Sequence, residues 1–271
     1  MGIQKCKIHE KNTLKGEIIT NRVFDTTIRD SVNVKYYVIN LDRAPERFTN
    51  FINHLSNKDS VIRVSAVDKN HLELIGEKEA LFDIKTFGSK VNHPVTWGEI
   101  ACTLSHIKTW RLIAEDDTLP DNGVAVVAED DISLLPEAEE LIARLAYQMT
   151  DAKEEFAEDI NLIRLHRLLN PNGSWNGDDQ LIDFWGSEEI SNYNYGSALY
   201  LIRKSKAKSL LKLLSSSKPF WLADWFADFT ESQEILNIKY NLGVIDGRFE
   251  STLEKERAEV RGGATLAIDK E

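Results

Sequence analysis

Three consecutive acids, Glu129, Asp130 and Asp131, end an apolar run, Val124 to Ala128, that has the composition of a buried strand. Carboxylates at that spacing repel one another, and nothing adjacent in the sequence neutralises them. Side chains alternate along a strand, so Glu129 and Asp131 leave on one side and Asp130 on the other. Open α/β sheets hold their ligands at the carboxyl ends of strands. An E-x-D pair of oxygen donors there suits a hard divalent cation, Mg²⁺ or Mn²⁺. The same residues also read as a polar turn with no ligand.

Other segment ends carry chemistry as well. In "INLDRAPER", Asn40 and Asp42 follow an apolar run, and Arg43 and Arg47 follow them. Two guanidiniums between a strand end and a helix start can grip a diphosphate, or form an ordinary Asp–Arg pair on a solvated turn. "SAVDK" puts Asp68 at the end of the next run, where it can accept from a ribose or base, or close a turn. Glu99, Thr103, His106 and Trp110 recur at i, i+4, i+7 and i+11, a polar stripe beside an apolar one. Such a stripe is buried and hydrogen-bonded, and a single His in it reads first as structural. Ser105 and His106 are helix neighbours about 100° apart, which excludes a hydrolase dyad. In "PFWLADWFADF", Asp224 and Asp228 stand four residues apart among Trp221, Trp225, Phe226 and Phe229. On a helix they share a face, where apolar surroundings raise a carboxylate's pKa toward that of a general base and the rings can stack on a sugar. An amphipathic helix with a wet acidic face is the plainer alternative.

These residues need a scaffold that brings strand ends together. "KYYVINL" reads as a strand and "PERFTNFINHL" as a helix opened by Pro45, with Phe48, Ile52 and Leu55 on one face. "VIRVSAV" reads as the next strand. Strand, helix and strand within about 30 residues is a βαβ unit with parallel pairing. Residues 69–96 are mixed and loop-rich. Trp97–Glu115 is a helix, "GVAVVA" the central strand, and "PEAEELIARLAYQM" a helix opened by Pro136. "INLIRLH", "SALYLI" and "KYNLGVI" read as strands, and "KSKAKSLLKLL" and the segment after Asp224 as helices. The alternation makes the chain α/β. Residues 1–34 read as an N-terminal extension, 35–252 as one catalytic domain, and 253–271 as a charged peripheral tail.

Composition narrows the classes. The chain has 271 residues, 44 Asp+Glu against 33 Lys+Arg, and a net charge of −11, which excludes a general electrostatic grip on nucleic acid. Its two cysteines, Cys6 and Cys102, make no metal-type cysteine spacing. No apolar stretch has the form of a secretory signal or the length of a membrane span, so a cytoplasmic protein is expected. No G-x-S-x-G, G-x-G-x-x-G or G-x-x-x-x-G-K-[ST] motif occurs.

Taken together, "YVINLDRAPERF", "RVSAVDKNHL", "TWGEIACTLSHIKTW", "VAVVAEDDISL", "YGSALYLIRKSKAKSLL" and "ADWF" resemble glycosyltransferase family 25, in the family's order over about residues 36–230. "FEST" (249–252) resembles its closing segment. The chain departs from the family at Lys69, where Gly is usual, and at Ala44, where Arg is common. Residues 165–190 have no clear family counterpart, which marks them for acceptor specificity.

The resemblance implies a GT-A architecture: a Rossmann-like mixed sheet flanked by helices. It implies inverting transfer of galactose or glucose from a UDP-sugar to a lipooligosaccharide or lipopolysaccharide acceptor, lipid-linked and met at the inner face of a membrane. Glu129 and Asp131 would then hold Mn²⁺ or Mg²⁺, with Asp130 assisting or binding the ribose. Asn40, Asp42, Arg43, Arg47 and Asp68, with Glu99, Ser105 and His106 of the G-E-x-x-C-x-x-S-H motif, become donor-site candidates. Asp224 becomes the candidate base, Asp228 its reserve, and Asp178, Asp179 and Asp183 the fallback. Two other classes stay open: a non-catalytic carbohydrate- or nucleotide-sugar-binding protein on this scaffold, and a metal-dependent phosphotransferase.

Overall fold

The structure, a computed structural model, describes residues 34–150, 160–168, 184–186, 196–231, 234–249 and 252–260. β1 (Lys35–Asn40) and β2 (Val61–Ser65) pair in parallel across α1 (Pro45–Ile52), with Tyr36 opposite Val61 and Asn40 opposite Ser65. Pro45 opens α1, where its missing N–H costs nothing. β2 stops at Ser65, two residues short of the expected end.

Residues 69–96, expected as loop-rich, hold three short helices instead: α2 (Lys69–Ile75), α3 (Lys78–Leu81) and α4 (Ile84–Lys90). Each is too brief to display a helical period. Asp68 and Asp83 cap α2 and α4, and Leu72, Phe82 and Phe87 pack as a small separate core with Ile100, Ala101 and Leu222.

α5 (Trp97–Glu115) has the bounds read from the sequence and opens on a capping box formed by Thr96 and Glu99. The stripe of Glu99, Thr103, His106 and Trp110 is buried, each residue no more than 2% exposed. Then come β3 (Val124–Glu129), β4 (Ile132–Leu134), α6 (Ala138–Thr150), β5 (Leu162–Arg164), β6 (Phe184–Gly186), β7 (Leu199–Arg203), α7 (Lys204–Leu214), β8 (Ile235–Ile238), β9 (Gly243–Ile245) and α8 (Thr252–Val260).

Seven strands form one mixed sheet in the order β2-β1-β3-β7-β5-β8-β6, and β4 pairs with β9 in a small separate ladder. The sheet is covered on both faces. Tyr36 and Val38 join Val126 and Ala128 in a core with Phe51, Ile142 and Leu145, while Tyr37 and Ile39 join Ala125 and Val127 in a second with Trp110, Ile113 and Leu210. That two-sided burial is why β1 and β3 read as unbroken apolar runs. The α/β class and Rossmann-like mixed sheet agree with expectation. Among the described residues no helix is long and apolar enough to cross a membrane.

Two readings are corrected. The segment after Asp224 is not an α-helix; it is a turn followed by one 3₁₀ turn, Phe226–Asp228. Its apolar residues serve different cores: Phe226 and Phe229 pack with Trp110, Tyr200 and Trp221, while Trp225 stacks on Phe87 at 5.4 Å. No single helix face reaches both. Of "KYNLGVI" only the last three residues are a strand, and it belongs to the small ladder; the preceding "ILNI" supplies β8.

Residues 252–260, placed across the expected boundary between domain and tail, form a helix that buries Glu256 against α5.

Candidate active site at the strand ends

The carboxyl ends of the parallel strands β1 and β3 open beside α5 into a solvent-facing cleft of about 110 Å³. Arg43 lines it from the turn after β1, Arg47 from the first turn of α1, Lys69 from the start of α2, and Gly98, Cys102 and His106 from α5. Glu129, Asp130 and Asp131 form its acidic wall.

The acids are not left to repel one another. Arg47 spans Asp130 at 2.6 Å and Asp131 at 2.9 Å. Its guanidinium also lies 5.4 Å from the ring of Phe249, which backs it from the far end of the chain. Asp130 is held again by Asn40, whose amide donates to it at 2.6 Å and to the Ala44 carbonyl at 2.7 Å. Asn40 is thereby a brace for the turn after β1, and Arg63 completes it by donating to Asn40 Oδ1 at 2.7 Å.

Glu129 accepts from Ser197 Oγ at 2.8 Å and faces His106 Nε2 at 3.4 Å. Ser197 is brought there by Gly196, at φ +131°, where a Cβ would come within 3.0 Å of the Leu168 nitrogen. Behind the histidine a chain of hydrogen bonds sets its tautomer. Trp110 Nε1–H donates to Tyr200 Oη at 2.9 Å, and Tyr200 Oη lies 2.9 Å from His106 Nδ1. Indole is a donor only, so the Tyr200 oxygen accepts from Trp110 and its own proton is available to Nδ1, an assignment that leaves Nε2–H for Glu129.

The three acids accordingly differ. Burial works against the charge of Glu129, but the His106 and Ser197 hydrogen bonds, helped by Arg47, outweigh it and lower its pKa. Asp131 goes the other way: burial, then repulsion from Glu129, raise it to about 7 despite Arg47. Burial also raises Asp130. Asp131 Oδ1 is buried and has no hydrogen-bond partner among the described residues. An orphaned carboxylate oxygen beside an ionised Glu129 fits a divalent cation. The Cys102 thiol, a ring nitrogen of His106 and a Glu129 oxygen also lie within 4.8 Å of one another. Cys102 stands one helical turn before His106, a Cys-x-x-x-His spacing that was visible in the sequence.

The other candidates fall in different places. Arg43 lines the cleft but is paired with Asp68, which also caps α2 through the Asn70 amide. Asp42 turns away to Arg63 and Ser65, each at 2.8 Å. Ser105 lines the cleft with its hydroxyl engaged, accepting from Val67 N–H and donating to the Ala101 carbonyl. Glu99 is occupied at the first turn of α5, where it accepts from Thr96 N–H and Arg257. Glu99, buried, and Asp42, exposed, are both engaged in such bonds, which marks them as scaffold.

Asp224 is partly buried, with one oxygen unpartnered among the described residues. Burial raises its pKa, and the nearby Arg257 and Arg164 pull it back. Asp228 pairs with Lys90 and lines a separate surface hollow with Lys206 and Phe229. The two acids share no helical face. Trp221, Phe226 and Phe229 are buried in the core, so they desolvate their surroundings but cannot stack on a sugar. Asp178, Asp179 and Asp183 lie outside the described residues. Sequence reasoning missed Ser197, Tyr200 and Arg257, which reach the site only through tertiary packing.

A family model described as "Glycosyltransferase family 25 (LPS biosynthesis protein)" matches residues 33–226. Two curated proteins, each named "Glycosyltransferase 25 family member", are similar to this chain. The one from Anopheles gambiae is 27% identical over 205 residues, and the one from Aedes aegypti 27% identical over 191. The alignments take in 70% and 68% of this chain but 31% and 29% of those proteins, so the chain spans about a third of the length of the curated relatives it matches.

Proposed function

This chain belongs to glycosyltransferase family 25, and from that premise we propose that it transfers a hexose, galactose or glucose, from a UDP-sugar to a lipooligosaccharide or lipopolysaccharide saccharide, inverting the anomeric carbon. The observation that carries the reading is the meeting of opposite charges around one open cleft. Glu129 and Asp131 line it together with Arg43 and Lys69. A nucleoside diphosphate bound with a divalent cation has that same pattern of charge.

Glu129 and Asp131 would hold the cation, with the unpartnered Oδ1 of Asp131 as its clearest ligand atom. When bound, Mn²⁺ or Mg²⁺ neutralises the charge that develops on the departing diphosphate. His106 and Ser197 fix the rotamer of Glu129, and Arg47 holds Asp131 in place. Arg43 and Lys69 are cations placed to meet phosphate oxygens. Inversion needs a base on the acceptor side, and Asp224, with its pKa raised by burial, fits that role. Residues 35–252, the span expected from the sequence, are the catalytic unit in this reading, with the rest of α8 docked on α5. The acceptor is lipid-linked and met at the inner face of a membrane.

The test is a panel of UDP-sugars against truncated lipooligosaccharide acceptors, with Mn²⁺ and with chelator. UDP released only when acceptor and metal are both present is the expected result. Release of inorganic phosphate would replace transfer with phosphotransferase chemistry, and binding without turnover would leave a carbohydrate- or nucleotide-sugar-binding protein.

A further inference from the structure

The first amides of an α-helix have no partner inside it. On α5 those of Trp97 and Gly98 donate to the two oxygens of one carboxylate, Glu256, each at 3.0 Å and more than 150 residues away in sequence. Lys69 reaches the same carboxylate at 3.2 Å. Glu256 is buried, and its charge is met by two N–H groups, an ammonium and the positive end of a 19-residue helix.

One residue on, Arg257 donates to Glu99 at 2.9 Å. Glu99 closes the capping box of the same first turn, so α8 grips the start of α5 from two directions. The approach is close enough that a side chain at position 98 would displace α8's side chains. A Cβ on Gly98 would come 2.6 Å from Glu256 Oε2 and 2.7 Å from Leu253 Cδ2. Leu253 then continues into the cleft, where it lines the wall beside Lys69, Gly98 and Cys102.

We propose that α8 is a working wall of the donor cleft, locked onto α5 by Glu256 and Arg257 as positioning residues, and that its docking sets donor affinity. The proposal rests on the cleft being the nucleotide-sugar site. Leu253 is the part of α8 that faces the cleft, and Glu256 is what holds it there.

Three readouts on the full chain test it, in Gly98→Ala, Glu256→Ala and the conservative Glu256→Gln. The first is hydrogen exchange at the Trp97 and Gly98 amides. The second is the rate of maleimide labelling of Cys102 in a Cys6→Ser background. The third is the KM for the UDP-sugar against kcat. Alanine is the better helix former, so a loss at Gly98→Ala points to the contact with α8 and not to α5 itself. In both alanine variants the two amides should exchange at least about tenfold faster, because the loss of a charged hydrogen bond is worth that or more. Cys102 should label faster, and donor KM should rise about tenfold with kcat changed less. Glu256→Gln, which keeps an acceptor oxygen, should fall between. Unchanged exchange would mean that α8 does not hold α5, and faster exchange with unmoved KM would reduce α8 to a cap. A wild-type protein inert on every UDP-sugar would refute the transferase reading instead, while faster Cys102 labelling would still support α8 as the wall and unchanged labelling would overturn it.

Discussion

Arg47 and Asp131 form an ion pair at 2.9 Å, with the same guanidinium reaching Asp130 at 2.6 Å. The pair answers the problem posed by three adjacent acids: the counter-charge comes from the first turn of α1, 84 positions before Asp131, not from neighbours. Arg47 and Asp131 are both mostly buried, so neither is a neutral surface site. Arg47→Gln should destabilise the fold by about 2–3 kcal/mol, the scale of hydrogen bonds to a charged group. Added Mn²⁺ should then raise the melting temperature more in the variant than in wild type, because a cation gains carboxylates that a guanidinium had shared. Thermal unfolding with and without Mn²⁺ measures both effects. An equal shift in the two proteins would separate the arginine from the cation site.

Asp131→Ala tests the acid itself. Asp131 is partly buried and paired with Arg47, so it is not a neutral strand-end residue. Two effects are therefore expected: transfer is abolished, and stability changes measurably, with the sign showing whether lost repulsion from Glu129 or the lost pair with Arg47 dominates. Full activity in chelating buffer would sink the metal assignment.

Tyr200 carries the orientation of His106. Tyr200→Phe keeps the packing but removes the oxygen between Trp110 Nε1 and His106 Nδ1, leaving both buried nitrogens unpaired. A loss of about 1–3 kcal/mol is expected in denaturant unfolding. The His106 ring is then free to present its other tautomer to Glu129, so the NMR shifts of its ring protons should move as well. Unchanged shifts would mean that Glu129 alone fixes the ring.

Acid sensitivity has a separate origin, far from the cleft. Asp116 accepts from Lys35 at 2.6 Å, from Tyr37 Oη at 2.5 Å and from Thr118. Burial raises its pKa, but these three donors outweigh it and lower the carboxyl well below the usual range. A folded pKa below the unfolded one contributes stability that is complete above the ordinary Asp value of about 3.9 and is lost as pH falls through the folded pKa. The stability gap between wild type and Asp116→Asn should be on the order of 2 kcal/mol at neutral pH and shrink below about pH 4. A gap that stays constant down to pH 2 would remove Asp116 as the cause.

Much of the scaffold was legible because the period of the sequence matched the burial. β1 and β3 are buried on both faces and read as apolar runs, and α5 is bounded by a capping box that spells itself in Thr96 and Glu99. The acidic triplet was legible because it interrupts such a run. What supports the site was not: Ser197 at Glu129, Tyr200 behind His106, Phe249 behind Arg47 and Glu256 at the start of α5 come from distant segments, and no local pattern marks a residue that acts only after folding. The segment around Asp224 misled for a related reason. Its aromatics have helical spacing, yet they fill different cores, and tertiary packing overrode the local pattern.

Asp224 and Asp228 can now be told apart. Asp228 is paired with Lys90 in a separate hollow, so Asp228→Asn should keep transfer near the wild-type rate. Asp224 keeps a buried oxygen without a partner among the described residues, and burial raises its pKa from the ordinary aspartate value. A base contributes about 10²–10⁴-fold, so Asp224→Asn should lower kcat by that order. Donor KM should hold, since Glu129, Asp131, Arg43 and Lys69 remain. The base works ionised, so kcat in wild type should rise with pH through a midpoint above that of an ordinary aspartate, and this limb should vanish in Asp224→Asn. Transfer rates and UDP-sugar affinity for both variants, across pH 4 to 8, decide the matter. Wild-type rates in Asp224→Asn would leave that acid as a partner of Arg257 and Arg164 only, and the search for the base would move to Asp178, Asp179 and Asp183.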